Sequence, residues 1–466
     1  MTDTHRSYWQ EVDFDAIVRD HPIGEPFTRM VTSISRDELR ARQEVLFQRC
    51  VARAWATPFY QRLWGNAGVG RGDVHSLDVL PNLPIFDKAD IMASLEVAPP
   101  FGDFAGFESY RADARPPVIL HTTSGTTGRP QVLLFGPKGR EVQGLLLARL
   151  YRWQGLRSGD VVHSVYGHGM INGGHYVREA VTHWTSAVFL SAGTGVETRS
   201  AQQVELMKTF GATAIVGFAD YIKRLAVVAR EAGLVPGVDI PVRMISGHMG
   251  REDKAALSAA WGGAECFDWY GVGDTGCIAG EGPDRDGLYV MEDAQFLEVC
   301  DIETGRPVAD GEAGDMVATC LYKDDLYPII RFNTHDVTRK ITRPSSIGAA
   351  FERIEGFLGR SDNLVKVRGI NIFPQAIGPM LDEAPEFAGE FLCRALRDDQ
   401  GRDCFVVVAE TTQPDDRAVA ARFAALLKQK IGIEVEVELV ARGATAALTG
   451  IEVRQKPIRL IDERFA

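Results

Sequence analysis

The sequence predicts an α/β protein: a large N-terminal α/β domain with a β-barrel-like subdomain (1–361), then a small α+β C-terminal domain (362–466). Three observations carry this. From residue 118 onward, short β-rich runs alternate with helical stretches, the texture of a largely parallel sheet covered by helices. After Tyr289 the texture changes to strand and turn. The stretch GFLGRSDNLVKVRG (356–369) then breaks the hydrophobic pattern with glycine and charge. About a hundred residues of mixed helix and strand follow, enough for a separate unit.

Taken in order, residues 36–65 read as one helix. Leu39, Val45, Leu46, Cys50, Val51 and Trp55 keep helical spacing, and Ser35 and Asp37 suit its cap. Buried strands are expected at VVHSVY (161–166), SAVFLSA (186–192), ATAIVGF (212–218) and VRMISG (242–247), with helices around 177–184, 202–209 and 221–231 between them. LEVCDIETGRPV, GDMVATCLY and IIRFNTHDVTRKI supply the antiparallel strands of the barrel-like part. Beyond the break the expected order is helix, strand CFVVVAE, helix AVAARFAALLKQKIG and strand EVEVELV.

Bulk properties narrow the function. The chain has 466 residues, 45% hydrophobic and 24% charged, as in ordinary globular proteins. A net charge of −12 argues against nucleic acid or an anionic membrane as the main partner, so any anionic ligand must be held by local groups. The seven cysteines are scattered without a C-x-x-C pair, against both a disulfide framework and a zinc knuckle. The first twenty residues are charged throughout, and no run approaches the ~20 apolar residues of a membrane span. A cytoplasmic protein is expected.

Four local motifs remain to be weighed. In HTTSGTTGRPQ (121–131), closely spaced glycine and hydroxyl residues leave backbone N–H groups bare and add side-chain donors, which suits an anion such as phosphate; a polar surface turn would look the same. Walker A is absent, for no G-x-x-x-x-G-K-[ST] occurs. GVGDTG (271–276) matches a dinucleotide fingerprint literally, but CIAGEGPDRDG follows where a helix would have to begin, so that reading fails. His163, His168, His175 and His183 are spaced by five, seven and eight residues and never share a helical turn, so histidines lining a cleft are favoured over a metal site.

Read in order, TSGTTGRPQ, DWYGVGD, RFNTHD, GRSDNLVKVRG and RQKPIRLID resemble the phosphate loop, tyrosine-glycine motif, ribose aspartate, hinge and terminal lysine of the acyl-adenylate-forming superfamily. TPFYQRLWGNAGV, GLRSGDVVHSVYGHGMINGG, GLYVMEDAQFLEVCDIETGRPVADGEAGDMVAT and YPIIRFNTHDVTR are similar to the phenylacetate-CoA ligase-like subgroup, and the similarity spans about residues 40–466.

The resemblance implies an ATP-dependent, AMP-forming acyl-CoA ligase that uses Mg²⁺ and coenzyme A. A carboxylate attacks the α-phosphorus of ATP, giving an acyl-adenylate and pyrophosphate; a thiol then displaces AMP. Ser124, Gly125, Thr126, Thr127 and Gly128 would wrap the leaving phosphates, and Tyr270 with Gly271 would pack by the adenine. Asp274, standing where most relatives carry glutamate, would hold Mg²⁺ through a bridging water, and Asp336 would accept the ribose hydroxyls. RFNTHD departs from the usual R-T-G-D, with Asn333 and His335 replacing Arg and Gly. Lys456 would bridge the acyl carboxylate and the adenylate phosphate. Asp362 would be the hinge of a mobile C-terminal lid, whose second pose presents the Arg368-Gly369-Ile370 hairpin to the pantetheine arm.

The expected acyl pocket draws on Tyr166, His168, Gly169, Asn172, Gly173, Ser246 and Gly247, with Phe218, Tyr221 and His248 nearby. Relatives of phenylacetate type are more apolar across the first stretch. The acid is therefore either an aryl acid of that type or a small polar one such as 2-hydroxyisobutyrate. Alternatives are a stand-alone adenylase loading a carrier protein and a non-catalytic nucleotide-binding relative. Partners are then a small carboxylic acid, ATP and CoA, without nucleic acid or membrane; homodimers are common in the family, and a homodimer is expected.

Overall fold

The structure is a computed structural model that describes residues 7–111, 114–123, 130–250, 252–361, 365–367, 370–397, 403–451 and 457–464. Five strands run parallel in the spatial order Val188–Ser191, Val161–Ser164, Ala214–Phe218, Met244–His248 and Glu265–Val272. Their short apolar runs suit burial on both faces, and Asn172–Trp184, Ser200–Phe210 and Ala219–Glu231 are crossover helices. The four strands expected from sequence lie within two residues of their predicted starts. Gly217 and Gly247 face each other in register, and a Cβ on Gly247 would stand 1.7 Å from the Gly217 carbonyl oxygen. This close approach puts Phe218 and His248 side by side at the carboxyl edge, where open α/β sheets bind ligands.

The sheet then reverses. Glu265–Val272 pairs antiparallel with Gly276–Glu281, so GVGDTG forms a hairpin turn between strands and opens no helix. Antiparallel pairing continues through Leu288–Val290, Arg353–Ile354, Phe332–Ile341, Ala313–Cys320 and Gln295–Cys300, making one sheet with the parallel half. Gly359–Arg360 adds to Phe332–Ile341 and sets Arg360 opposite Asp336. A separate hairpin, Ile119–Thr122 with Val132–Phe135, flanks the predicted phosphate loop.

The single helix expected over 36–65 is two helices, Arg36–Trp55 and Pro58–Asn66. Pro58 has no N–H to continue the first and instead starts the second, with Thr57 in extended geometry before it. Ser35 caps the first helix through a capping box with Glu38. Val45, placed on the buried face by its spacing, is 57% exposed.

Residues beyond 365 build their own core around Cys393, Val407, Phe423 and Leu427. Glu436–Ala441, Asp403–Thr411, Phe387–Arg397 and Leu460–Asp462 form a four-stranded sheet in that order, covered by Arg417–Ile431. Phe387–Arg397 stands as a strand where sequence led only to a helix before CFVVVAE. Among the described residues no helix is long and apolar enough to cross a membrane.

Candidate functional site

A cleft of ≈ 250 Å³ opens between the carboxyl edge of the parallel strands, the Phe332–Ile341 strand and the C-terminal domain. Tyr270, Gly271 and Asp336, all anticipated, line it together. The Tyr270 hydroxyl donates to Asp336 Oδ2 at 2.7 Å, and Arg360 Nη1 donates to Oδ1 at 2.9 Å. The Asp336 N–H donates to Thr334 Oγ1 at 3.1 Å, which fixes the turn. Burial, with the Asp336 charge beside it, pushes the Tyr270 phenol well above its ordinary range, so it stays a hydrogen-bond donor. A Cβ on Gly271 would stand 2.2 Å from the Gly276 carbonyl, so only glycine lets the hairpin close here.

His335 precedes Asp336 with φ +57°, the left-handed region that a glycine in the common motif would occupy freely. Two carboxylates hold it there: Asp315 Oδ2 lies 3.6 Å from Nδ1 and Asp87 Oδ2 2.8 Å from Nε2. Asp315 and then Asp87 push its pKa up to about 10. The Ser361 N–H donates to the His335 carbonyl at 2.8 Å, joining this loop to the residue before the expected hinge.

Asp274 sits at the foot of the hairpin formed by Ile119–Thr122 and Val132–Phe135. Its Oδ1 accepts Gln131 Nε2 at 2.6 Å and the Tyr327 hydroxyl at 2.8 Å. Gln131 closes the hairpin, donating its N–H to Thr123 Oγ1 at 3.1 Å. Burial raises the Asp274 carboxyl pKa, while the Tyr327 hydrogen bond and the nearby Lys323 ammonium pull it back. Lys323 is itself buried, over the rings of Phe135 and Tyr327. Among the described residues no group of three or more His, Cys, Asp and Glu side chains is arranged to hold a metal. A carboxylate beside the hairpin that carries the expected phosphate loop is the type of ligand Mg²⁺ takes, since that ion binds through one or two carboxylates and draws its other ligands from phosphate and water.

Ser124, Gly125, Thr126, Thr127, Gly128, Asp362, Arg368, Gly369 and Lys456 lie outside the described residues, and Ile370 is placed only as backbone of the Ile370–Ile372 strand. Pro457 and Arg459, just after Lys456, line the cleft.

None of the seven expected acyl residues lines the cleft itself; of the residues expected nearby, Phe218 and His248 do. The Tyr166 ring packs edge-on to Phe218 and His248, and His248 stacks on Phe218 and lies tilted against Trp269, making an aromatic wall. Ser246 donates to Gln154 Oε1 at 2.6 Å below it, and Gly247 is the close-approach glycine. His168, Gly169, Asn172 and Gly173 do not line the cleft. Asn172 Oδ1 accepts Arg140 Nη1 at 2.6 Å, His168 Nε2 meets Ser191 Oγ at 2.7 Å, and the Gly169 carbonyl meets His175 Nε2 at 2.8 Å. The segment nevertheless adjoins the Ile119–Phe135 hairpin, since the Thr122 N–H donates to the Met170 carbonyl at 2.7 Å. His163 and His183 are engaged by Gln203 and Glu141. Sequence reasoning passed over Arg360, although it stands inside the quoted GRSDN stretch, and over Asp220 and Glu252, for which no motif speaks.

Residues 369–464 match the family model described as AMP-binding enzyme C-terminal domain. Phenylacetate-coenzyme A ligase of Aromatoleum evansii is 28% identical over 379 residues, 79% of this chain and 81% of that protein. The crystal structure of 2-hydroxyisobutyryl-CoA ligase in the postadenylation state with 2-HIB-AMP is 25% identical, with a TM-score of 0.81 over 94% of this chain and 92% of that one. The same ligase with 2-HIB-AMP and CoA in the thioesterification state is 26% identical, with a TM-score of 0.66 over 100% and 97% of the two chains.

Proposed function

We propose that this phenylacetate-CoA ligase-like protein of the acyl-adenylate-forming superfamily is an AMP-forming acid–thiol ligase that makes CoA thioesters in two steps from ATP and a carboxylic acid. The observation that carries this is the meeting, in one cleft, of Asp336 from the large domain and the 457–459 segment that follows Lys456 in the C-terminal domain.

In the first step the acid oxygen bonds to the α-phosphorus of ATP and pyrophosphate leaves. Asp336, already oriented by Tyr270 and Arg360, suits two ribose hydroxyls as a charged acceptor. Ser124–Gly128 would take the departing phosphates and Lys456 the charge that develops between acid and phosphate. Asp274 would hold Mg²⁺, which neutralises phosphate charge when bound. In the second step the CoA sulfur bonds to the acyl carbon and AMP leaves, after the lid turns about Asp362 to bring in Arg368-Gly369-Ile370. The higher TM-score against the postadenylation state of the 2-hydroxyisobutyryl-CoA ligase supports a lobe arrangement suited to the first step.

The acid we favour is aryl. The expectation of a polar pocket stood on His168 and Asn172, and both are engaged away from the cleft, whereas the wall beside it is aromatic. A small hydroxy acid such as 2-hydroxyisobutyrate is the comparison arm. A cytoplasmic location and a homodimer complete the reading, the latter checked by analytical ultracentrifugation.

The test is AMP release from ATP with a panel of aryl and hydroxy acids, with and without CoA. CoA-dependent release, highest with arylacetic acids, is expected. Release that needs a phosphopantetheinyl carrier protein, or none with any acid, would overturn it.

A further inference from the structure

The first turn of the Ala219–Glu231 helix reaches across to the C-terminal domain. Arg459 Nη2 donates to Asp220 Oδ2 at 3.3 Å, and one turn later Lys223 Nζ lies 3.9 Å from Asp382 Oδ2. Arg459 is fixed beforehand by its own domain: Nη1 donates to Glu390 Oε2 at 2.8 Å and to the Phe391 carbonyl at 2.9 Å, with the guanidinium 4.4 Å from the Phe391 ring centroid. The Arg459 carbonyl accepts the Cys393 N–H at 2.9 Å. The fork therefore meets Asp220 with little side-chain entropy left to lose, in a partly buried setting that salt screens weakly.

We propose that Asp220 is a positioning residue for adenylation. By taking the Arg459 guanidinium it draws the 457–459 segment, which follows Lys456 in the chain, over the nucleotide cleft and holds the lid in that pose. The inference rests on the ligase reading for what Lys456 does there. One partly exposed pair biases the lid severalfold without locking it, which suits a lobe that must leave before CoA can react. The Lys223–Asp382 contact cannot stand in for the Asp220–Arg459 pair, because the Lys223 ammonium is held mainly by Glu252 of its own domain.

Asp220→Asn and Asp220→Arg test this with the two half-reactions measured apart. Adenylation, read as acid-dependent ATP–pyrophosphate exchange, should slow about five- to tenfold in Asp220→Asn and further in Asp220→Arg, with most of the rate kept in Asp220→Glu. Thioester formation from supplied acyl-adenylate should stay within about twofold, since that pose does not use the pair. Equal losses in both halves, or none in either, would overturn the proposal.

A readout that needs no catalysis separates this from the ligase reading. Labels on Val238→Cys and Ala418→Cys in a Cys404→Ala background report the distance between the lobes. The distribution should be narrow with Asp220 and broad or displaced with Asp220→Arg, whatever acid the protein uses. An unchanged distribution would overturn the clamp. A chain that adenylates no acid, yet shows the shift, would sink the ligase reading and leave the clamp standing.

Discussion

Tyr270 and Asp336, 66 residues apart, meet at 2.7 Å on the cleft floor, the phenol donating to one carboxylate oxygen while Arg360 takes the other. Asp336→Asn replaces a charged acceptor by an amide and should weaken ATP binding roughly 10- to 100-fold, from the ~1.5–3 kcal/mol of hydrogen bonds to a charged group. Tyr270→Phe removes one donor and should cost about fivefold, near 1 kcal/mol. Calorimetric titration of ATP measures both; unchanged affinity in Asp336→Asn would remove this carboxylate from the nucleotide site.

Asp274 bears on the metal. Asp274→Ala should lower the adenylation rate by roughly a hundredfold or more, as loss of a well-placed charge stabiliser does, and raise the Mg²⁺ concentration needed for half-maximal rate. A Mg²⁺ titration of the variant checks it. If rate and Mg²⁺ dependence both survive, the metal is held elsewhere.

How much of this site was legible varies by residue. Tyr270 and Asp336, which meet in the cleft, stand in short contiguous motifs, and the parallel strands are continuous apolar runs, so both were readable. The Asp336–Arg360 contact was not, because it depends on the pairing of Gly359–Arg360 with Phe332–Ile341. Asn172 and His168 looked like pocket groups only because Arg140 and Ser191, which consume them, lie tens of residues away. The Leu460–Asp462 strand is too short to carry a pattern and exists by pairing with Phe387–Arg397. Pro58, by contrast, was a plain breaker inside the supposed helix and outweighs its hydrophobic spacing.

The raised pKa of His335 makes a stability prediction. Its folded value of about 10 lies above the ordinary 6.5, so its contribution is fully present below about pH 6.5 and is lost as pH rises through about 10. The stability gap between the wild type and His335→Gln should therefore be widest near pH 6 and close above pH 10. Urea unfolding at a series of pH values reads it, and a gap that does not change across this range would rule out the two ion pairs as its source.

Gly247→Ala should destabilise the protein by about 1–3 kcal/mol, because the new Cβ meets the Gly217 carbonyl, backbone that cannot step aside. Gly65→Ala is the control. It lies in the Pro58–Asn66 helix with nothing within 4 Å of the added Cβ, and should be neutral or slightly stabilising. Thermal melts of both compare them directly; equal melting points would mean the strands can part at no cost.

The most direct measurement is the two half-reactions of Lys456→Ala, side by side. The account predicts that acid-dependent ATP–pyrophosphate exchange falls by at least about a thousandfold, while thioester formation from supplied acyl-adenylate keeps most of its rate. Equal loss of both, or exchange that persists, would contradict a lid that brings this lysine to the nucleotide.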